Sequence, residues 1–322
     1  MSHGYDPELA PWVDLLPDVD FAELERVRRV EAEIMEFGSY DPPAPVDVRD
    51  TVVPALDGAP EVGVRVYRPV DRDGTLPGIL YVHGGGFAIG SVDAFHGETT
   101  RIAAEVGAVV VSVKYRLAPE HPFPAALEDC YAALSWMAAR AGELGMDRGR
   151  IAVAGESSGA GVAAAVALYA RDQGGPALRM QYLGVPVLDD RLDTLSMRTF
   201  TDTPGWSLHN AQVTWDYYLG GEGIRGGENV SPYASPARAE HLDGLPPTYI
   251  SAAEFDPVRD EDLAYAQRLV AAGVLTEVHL FSGTFHGSTR LAPQAGVSRR
   301  IVAEQMPALR RGLGVEEDES RG

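Results

Sequence analysis

Residues 151–161 read Ile-Ala-Val-Ala-Gly-Glu-Ser-Ser-Gly-Ala-Gly, a stretch that can present a nucleophile. The apolar run Ile151 to Ala154 reads as a buried strand, Gly155 to Gly159 as a sharp turn, and the sequence from Gly161 as the start of a helix. This is G-x-S-x-G in strand–turn–helix context, which holds a serine hydroxyl out at the carboxyl edge of a sheet. So tight a turn excludes bulky flanking side chains, hence Gly155 and Gly159. A chain with 35 glycines matches this pattern by accident about one time in five, so the weight falls on the partners of Ser157.

The first partner is His83-Gly84-Gly85-Gly86, which closes the apolar run Gly78 to Val82. Acyl transfer needs donors aimed at the oxygen that turns negative, and backbone N–H groups of consecutive glycines can approach it closely. The other two follow further apolar runs. Asp256-Pro257 comes after Tyr249 to Ala253, and Gly283-Thr284-Phe285-His286-Gly287 comes after Leu275 to Phe281. A serine hydroxyl is a weak nucleophile until a neutral imidazole takes its proton. A buried carboxylate fixes the imidazole tautomer through the other ring nitrogen. The chain order Ser157, Asp256, His286 is that of an α/β-hydrolase.

These stretches, with Tyr115-Arg116-Leu117-Ala118-Pro119-Glu120 and Asp256-Pro257-Val258-Arg259-Asp260-Glu261, make the chain resemble the hormone-sensitive-lipase family of α/β-hydrolases. This is family IV among bacterial esterases, and the resemblance runs from about Asp47 to about Leu313. Leu245-Pro246-Pro247-Thr248-Tyr249 and Gly283 to Ser288 look most similar to the branch containing a bacterial heroin esterase. The resemblance implies Ser157 as nucleophile, His286 as base and Asp256 as its orienter. It also implies an oxyanion hole from the N–H groups of Gly85, Gly86 and Ser158. The chain departs from the common elbow Gly-Asp-Ser-Ala-Gly at Glu156 and Ser158, and Ser288 stands where the family usually has Phe. Ser288 is therefore expected, with Phe87 and Trp206, to shape the substrate pocket. His83 is expected to fix the glycine loop rather than act as a base.

The elements that must position these residues follow from the alternation of periods. Strands are predicted at Val48–Leu56, Val62–Arg68, Pro77–His83, Ala108–Lys114, Arg150–Gly155, Arg179–Val187, Pro247–Ala253 and Leu275–Phe281. The later ones are near-continuous apolar runs, as in strands covered on both faces. Helices are predicted at Ala125–Arg140, where Ala126, Cys130, Ala133, Leu134 and Met137 share a face, and at Pro257–Ala272. This alternation implies an α/β fold with a mostly parallel eight-stranded sheet flanked by helices. Its ligand site should lie beyond the carboxyl ends of the strands.

Two segments fall outside the alternation. Residues 1–46 hold a helix that Asp20 and Glu23 could start, with Val27, Val30 and Ile34 on one face and Gly38 at its end. Residues 188–246 are too long for a bare loop, and there Ser207 could cap a helix bearing Leu208, Ala211, Trp215 and Tyr218. Family members use such segments as a helical cap. The expected organisation is thus 1–46 as the N-terminal part of the cap, 47–187 and 247–322 as the two parts of the core, and 188–246 as the inserted cap. Trp206, Trp215, Tyr217 and Tyr218 either line a pocket or pack cap against body.

Composition narrows the partners. A net charge of −20 makes nucleic acid and anionic membrane poor ones. The tail Glu316 to Glu319 reads as a solvated end. Cys130 is the only cysteine, so no intrachain disulfide forms. No apolar run approaches the ~20 residues of a membrane span, and the N-terminus has no signal-peptide pattern. A cytoplasmic location is expected. His96, His121, His209, His241 and His279 lack metal-ligand spacing, and neither metal nor cofactor is expected. The expected substrate is a small-molecule ester with a short acyl group. An amidase or formamidase would use the same site, and a non-catalytic receptor on this fold would lack the histidine that His286 supplies. Epoxide hydrolysis would want a carboxylate nucleophile. Finally, 275–281 would be an edge strand with one charge, Glu277, and no proline or lysine. Such an edge must be covered or blunted. A homodimer pairing these edges is expected, unless a helix beginning near Val297 covers them.

Overall fold

The computed structural model describes residues 4–16, 19–34, 40–55 and 60–315. Eight strands form one sheet: β1 (Val46–Val53), β2 (Val62–Pro69), β3 (Leu76–Val82), β4 (Val109–Lys114), β5 (Met146–Glu156), β6 (Met180–Gly184), β7 (Thr248–Phe255) and β8 (Thr276–Phe285). Their order is β1-β2-β4-β3-β5-β6-β7-β8. The pairs β1–β2 and β2–β4 are antiparallel and the rest parallel. The eight predicted strands all occur, with shifted ends. β6 stops at Gly184 because Val185 turns to φ 39° and its N–H goes to the Ser251 carbonyl. Leu56, the predicted end of the first strand, lies outside the described residues, as do Gly38 and the acidic tail.

Burial explains the sequence pattern of each strand. β3 and β6 are buried throughout, whereas outer β1 is mostly exposed. Parallel strands covered by helices on both faces have no polar side to show. The Ser158–Asp172 helix packs in the largest buried cluster with the Ala125–Ala139 helix. On the other face the Gly296–Leu313 helix buries Met306, Leu309 and Leu313 with Met180, Tyr182 and Tyr249 of β6 and β7. It therefore covers a sheet face rather than the free side of β8. Its N-terminal half packs Val297 and Ile301 with Phe281 and Phe285 near the end of β8, and polar links join the two further along: Glu304 to His279 at 2.7 Å and Arg311 to Glu277 at 2.9 Å. Val278 and Leu280 of β8 remain 41% and 45% exposed.

The two segments outside the alternation meet each other. Asp20 accepts from Ala22 N–H and starts a short 3₁₀ turn, Phe21–Glu23, which runs into the Leu24–Ile34 helix. Ser207 caps the Leu208–Leu219 helix by accepting from Asn210 N–H, and Gly220 closes it in the left-handed region. Asn210 then ties the segments together. Its Oδ1 accepts from Phe21 N–H at 3.1 Å, and its Nδ2 donates to the Val19 carbonyl at 2.7 Å. The Tyr217 hydroxyl donates to the Phe21 carbonyl.

One core position is expected to make the stability of the fold depend on pH. Asp262, near the start of the Arg259–Ala271 helix, is fully buried, and neither carboxyl oxygen has a hydrogen-bond partner. Burial, reinforced by the nearby Glu261 charge, pushes its carboxyl well above the usual range. A raised native pKa gives stability that is full below the unfolded value of about 4 and is lost as pH rises through the native one. Thermal melts from pH 4 upward should therefore show the wild type losing stability more steeply than Asp262→Asn, which cannot ionise. Parallel melting curves would contradict this.

Candidate active site

The site begins with backbone strain. Ser157, between β5 and the Ser158–Asp172 helix, has φ 56° and ψ −126°. Its N–H donates to the Gly184 carbonyl at 2.8 Å, and its carbonyl accepts from Ala160, Gly161 and Val187 N–H. The turn is possible only beside glycine. A Cβ on Gly159 would collide with the Val82 and His83 carbonyls. The conformation stands the hydroxyl above the sheet, where Ser157 Oγ lies 2.7 Å from His286 Nε2. His286 Nδ1 lies 2.7 Å from Asp256 Oδ2. Asp256 is fully buried, and its other oxygen accepts from Val258 N–H at 3.1 Å. His286 and Asp256 follow the ends of β8 and β7, adjacent parallel strands, which is how a gap of many residues closes to one hydrogen bond. Three groups so aligned can relay a proton from the serine to the imidazole while the carboxylate holds the ring.

The glycine loop faces this chain. Gly84, Gly85, Gly86 and Ser157 line one cavity of about 220 Å³, with His286 and Trp206. Gly85 and Gly86 take φ 130° and 58°, and a Cβ on Gly86 would press on Thr214, Phe21 and Trp206 at 3.0–3.1 Å. His83 lies beneath the loop. Its Nδ1 pairs with the Gly84 carbonyl at 2.9 Å, and its ring stacks on Tyr115 with centroids 4.3 Å apart. Burial pushes its imidazole down to about 4, which leaves it a poor base near neutral pH. The loop is tied outward too. Arg28 donates to the Ala88 carbonyl and grips Glu120 through two nitrogens, and Glu31 accepts from Gly90 N–H.

The three candidate pocket residues are placed differently. Trp206 lies on the cavity wall, its ring stacked on His286 at 5.6 Å and edge-on to Phe21 at 5.7 Å. Phe87 is not brought to that wall, because its ring stacks on Tyr218 at 4.0 Å and packs against Trp215. Ser288 is buried away from the wall, its carbonyl accepting from Ser298 Oγ. Trp215 and Tyr218 are likewise buried in the core cluster rather than lining the cavity. Sequence reasoning missed other wall residues: Leu16, Val19 and Phe21 from the N-terminal segment, Val185, and a carboxyl pair, Glu98 and Glu156. Burial raises both carboxyls, Glu156 well above its usual range with the Glu98 charge as the next cause. A hydrophobic residue just after a helix-starting aspartate was the one available signal for Phe21; its partner Asn210 lies too far along the chain to be read. Among the described residues no group of three or more His, Cys, Asp or Glu could hold a metal ion, and no helix is long and apolar enough to cross a membrane.

Comparison with known proteins shows the family. Residues 79–290 match the family described as alpha/beta hydrolase fold. Esterase LipI of Mycobacterium tuberculosis is 40% identical over 261 residues, 80% of each chain. Carboxylesterase NlhH of the same species is 36% identical over 310 residues, 96% of each chain. The solved structure of a bacterial heroin esterase superposes with a TM-score of 0.92 at 48% identity, covering 96% of this chain and 98% of that one. The chain belongs to the alpha/beta hydrolase family, within its hormone-sensitive-lipase-like group of esterases.

Proposed function

We propose that this carboxylic ester hydrolase cleaves short-chain acyl esters, acetyl esters among them, through an acyl-enzyme on Ser157. The observation that carries the reading is the chain Ser157 Oγ–His286 Nε2 and His286 Nδ1–Asp256 Oδ2, 2.7 Å at both hydrogen bonds, beside the cavity. Ser157 Oγ attacks the ester carbonyl carbon and its proton passes to His286 Nε2. Gly85, Gly86 and Ser158 N–H groups hold the oxyanion. The carbon–oxygen bond to the alcohol breaks, and His286 returns the proton to the leaving alkoxide. Water then attacks the acyl-enzyme, gives a proton to His286, and releases the carboxylic acid as Ser157 recovers its proton. An alkoxide leaves more easily than an amide nitrogen, which needs prior protonation, so ester is preferred over anilide.

The cavity supports a small acyl group. Its volume of about 220 Å³ lies below the roughly 300–1,000 Å³ of drug-sized pockets. Trp206, Phe21, Leu16 and Leu291 close it with apolar surface. Residues 1–46 and 188–246 act together as the cap, since Phe21 and Trp206 come from one each. A single buried cysteine, Cys130, suits a reducing compartment, and we place the activity in the cytoplasm. The free side of β8, with Val278 and Leu280 exposed, pairs with its copy across a two-fold axis.

Three outcomes follow. Ser157→Ala should lower kcat on p-nitrophenyl acetate about a millionfold with the fold intact; retention of more than about one per cent of activity would remove Ser157 from the mechanism. His286→Ala should abolish acylation, whereas His83→Ala should cost less and act by loosening the glycine loop, visible as faster amide exchange over 83–87. Equal losses without that change would contradict the division of roles. Light scattering at micromolar concentration should give a dimer, and Val278→Pro a monomer that keeps its esterase activity. A monomeric wild type, or a dimer indifferent to the proline, sinks the edge pairing.

A further inference from the structure

The three proposed oxyanion donors sit on two separate segments. Ser158 N–H opens the Ser158–Asp172 helix, and Gly85 and Gly86 belong to the loop after β3. Catalysis requires these donors to converge on one point, so something must fix one segment against the other. The Ser158 side chain, a hydroxyl where the common elbow of the family has only a methyl, reaches across that gap. It is fully buried, and its Oγ accepts from the Phe87 N–H at 3.0 Å.

Phe87 is the residue through which this contact can act. It follows Gly86 and takes φ 62°, in the left-handed region that a bulky side chain rarely adopts. Such a conformation persists only where its surroundings over-determine it. Three contacts do so: the N–H to Ser158 Oγ, the carbonyl to Ala118 N–H at 3.0 Å, and the ring stacked on Tyr218. Only the first reaches the elbow. Ser158 also lies beside the Tyr115 phenol, which donates to the His83 carbonyl at 2.8 Å. Ser158 thus touches one end of the glycine loop directly and stands beside the group that holds the other.

We propose that the Ser158 hydroxyl is a positioning residue that sets the glycine-loop amides against its own amide. The inference rests on the acyl-transfer reading and gives a role to a side chain that reading leaves unused. Without the hydroxyl, the buried Phe87 N–H has lost its acceptor, and the Gly85–Phe87 backbone relaxes away from the converging geometry.

The test compares Ser158→Ala and Ser158→Thr with the wild type on p-nitrophenyl acetate. It adds the binding of a small trifluoromethyl ketone, which forms a tetrahedral adduct, and of the matching secondary alcohol, which cannot. Ser158→Ala should lower kcat about tenfold and weaken the ketone about tenfold, leaving KM and alcohol affinity within about twofold. Ser158→Thr keeps the acceptor oxygen and should recover most of the kcat. If the alanine variant does not fold, Ser158→Cys, a weak acceptor, should show the same split. Unchanged kcat and ketone affinity, or equal weakening of ketone and alcohol, would overturn the proposal. A fluorophosphonate that labels wild-type Ser157 keeps the two readings apart. If labelling is absent the acyl-transfer reading fails; if it is present, an indifferent Ser158 overturns only the positioning role.

Discussion

At Ser157 the backbone holds φ 56° and ψ −126°, a conformation that costs a residue with a side chain about 1–3 kcal/mol. The surrounding structure is arranged so that this strain persists. The Ser157 amide and carbonyl are satisfied by Gly184, Ala160, Gly161 and Val187, so neither gains by relaxing. Gly155 and Gly159 let the turn close against the end of β3. That close approach also brings the glycine loop beside the Ser157 hydroxyl. The parallel strands β7 and β8 then deliver Asp256 and His286 to the same edge. The sheet acts as the ruler, and the strained turn is its zero mark.

The proposed cap is coupled to this point by polar contacts rather than by apolar packing alone. Asn210 holds the backbone on either side of Asp20, and Phe21 thereby becomes a wall of the cavity beside Trp206. Arg28 and Glu31, on the Leu24–Ile34 helix, bind the far side of the glycine loop at Ala88 and Gly90. A segment without a strand in the sheet therefore shapes the pocket and braces the loop.

Local patterns made the core legible in the sequence. Ser157, Asp256 and His286 each follow an apolar run, and a strand end can be read from such a run within a few residues. Eight runs gave eight strands, and Ser207 and Asp20 announced their turns through short-range caps. What depended on distant contacts was not legible. Phe87 adjoins the glycine loop, yet its positive φ turns the ring toward Tyr218 instead of the cavity. Ser288 follows the histidine, yet a one-turn helix buries it. Glu98 and Val185 reach the wall through a helix and a kink that no motif marks. The cavity wall is assembled largely from loops and short turns, which carry little periodic signal, whereas the Ser157–His286–Asp256 chain is assembled from strand ends, which carry a strong one.

Acyl transfer at this site requires a covalent intermediate at one named oxygen, Ser157 Oγ. The direct measurement is to mix the protein with an excess of an activated acetyl ester, quench in acid within milliseconds, and map the acylated peptide by mass spectrometry. One acetyl group is expected on the peptide containing residues 151–161, fragmenting to Ser157 rather than Ser158, and gone once the ester is exhausted. An acetyl group on Ser158 or elsewhere, or turnover with no acyl-protein at any time, would contradict acyl transfer at Ser157.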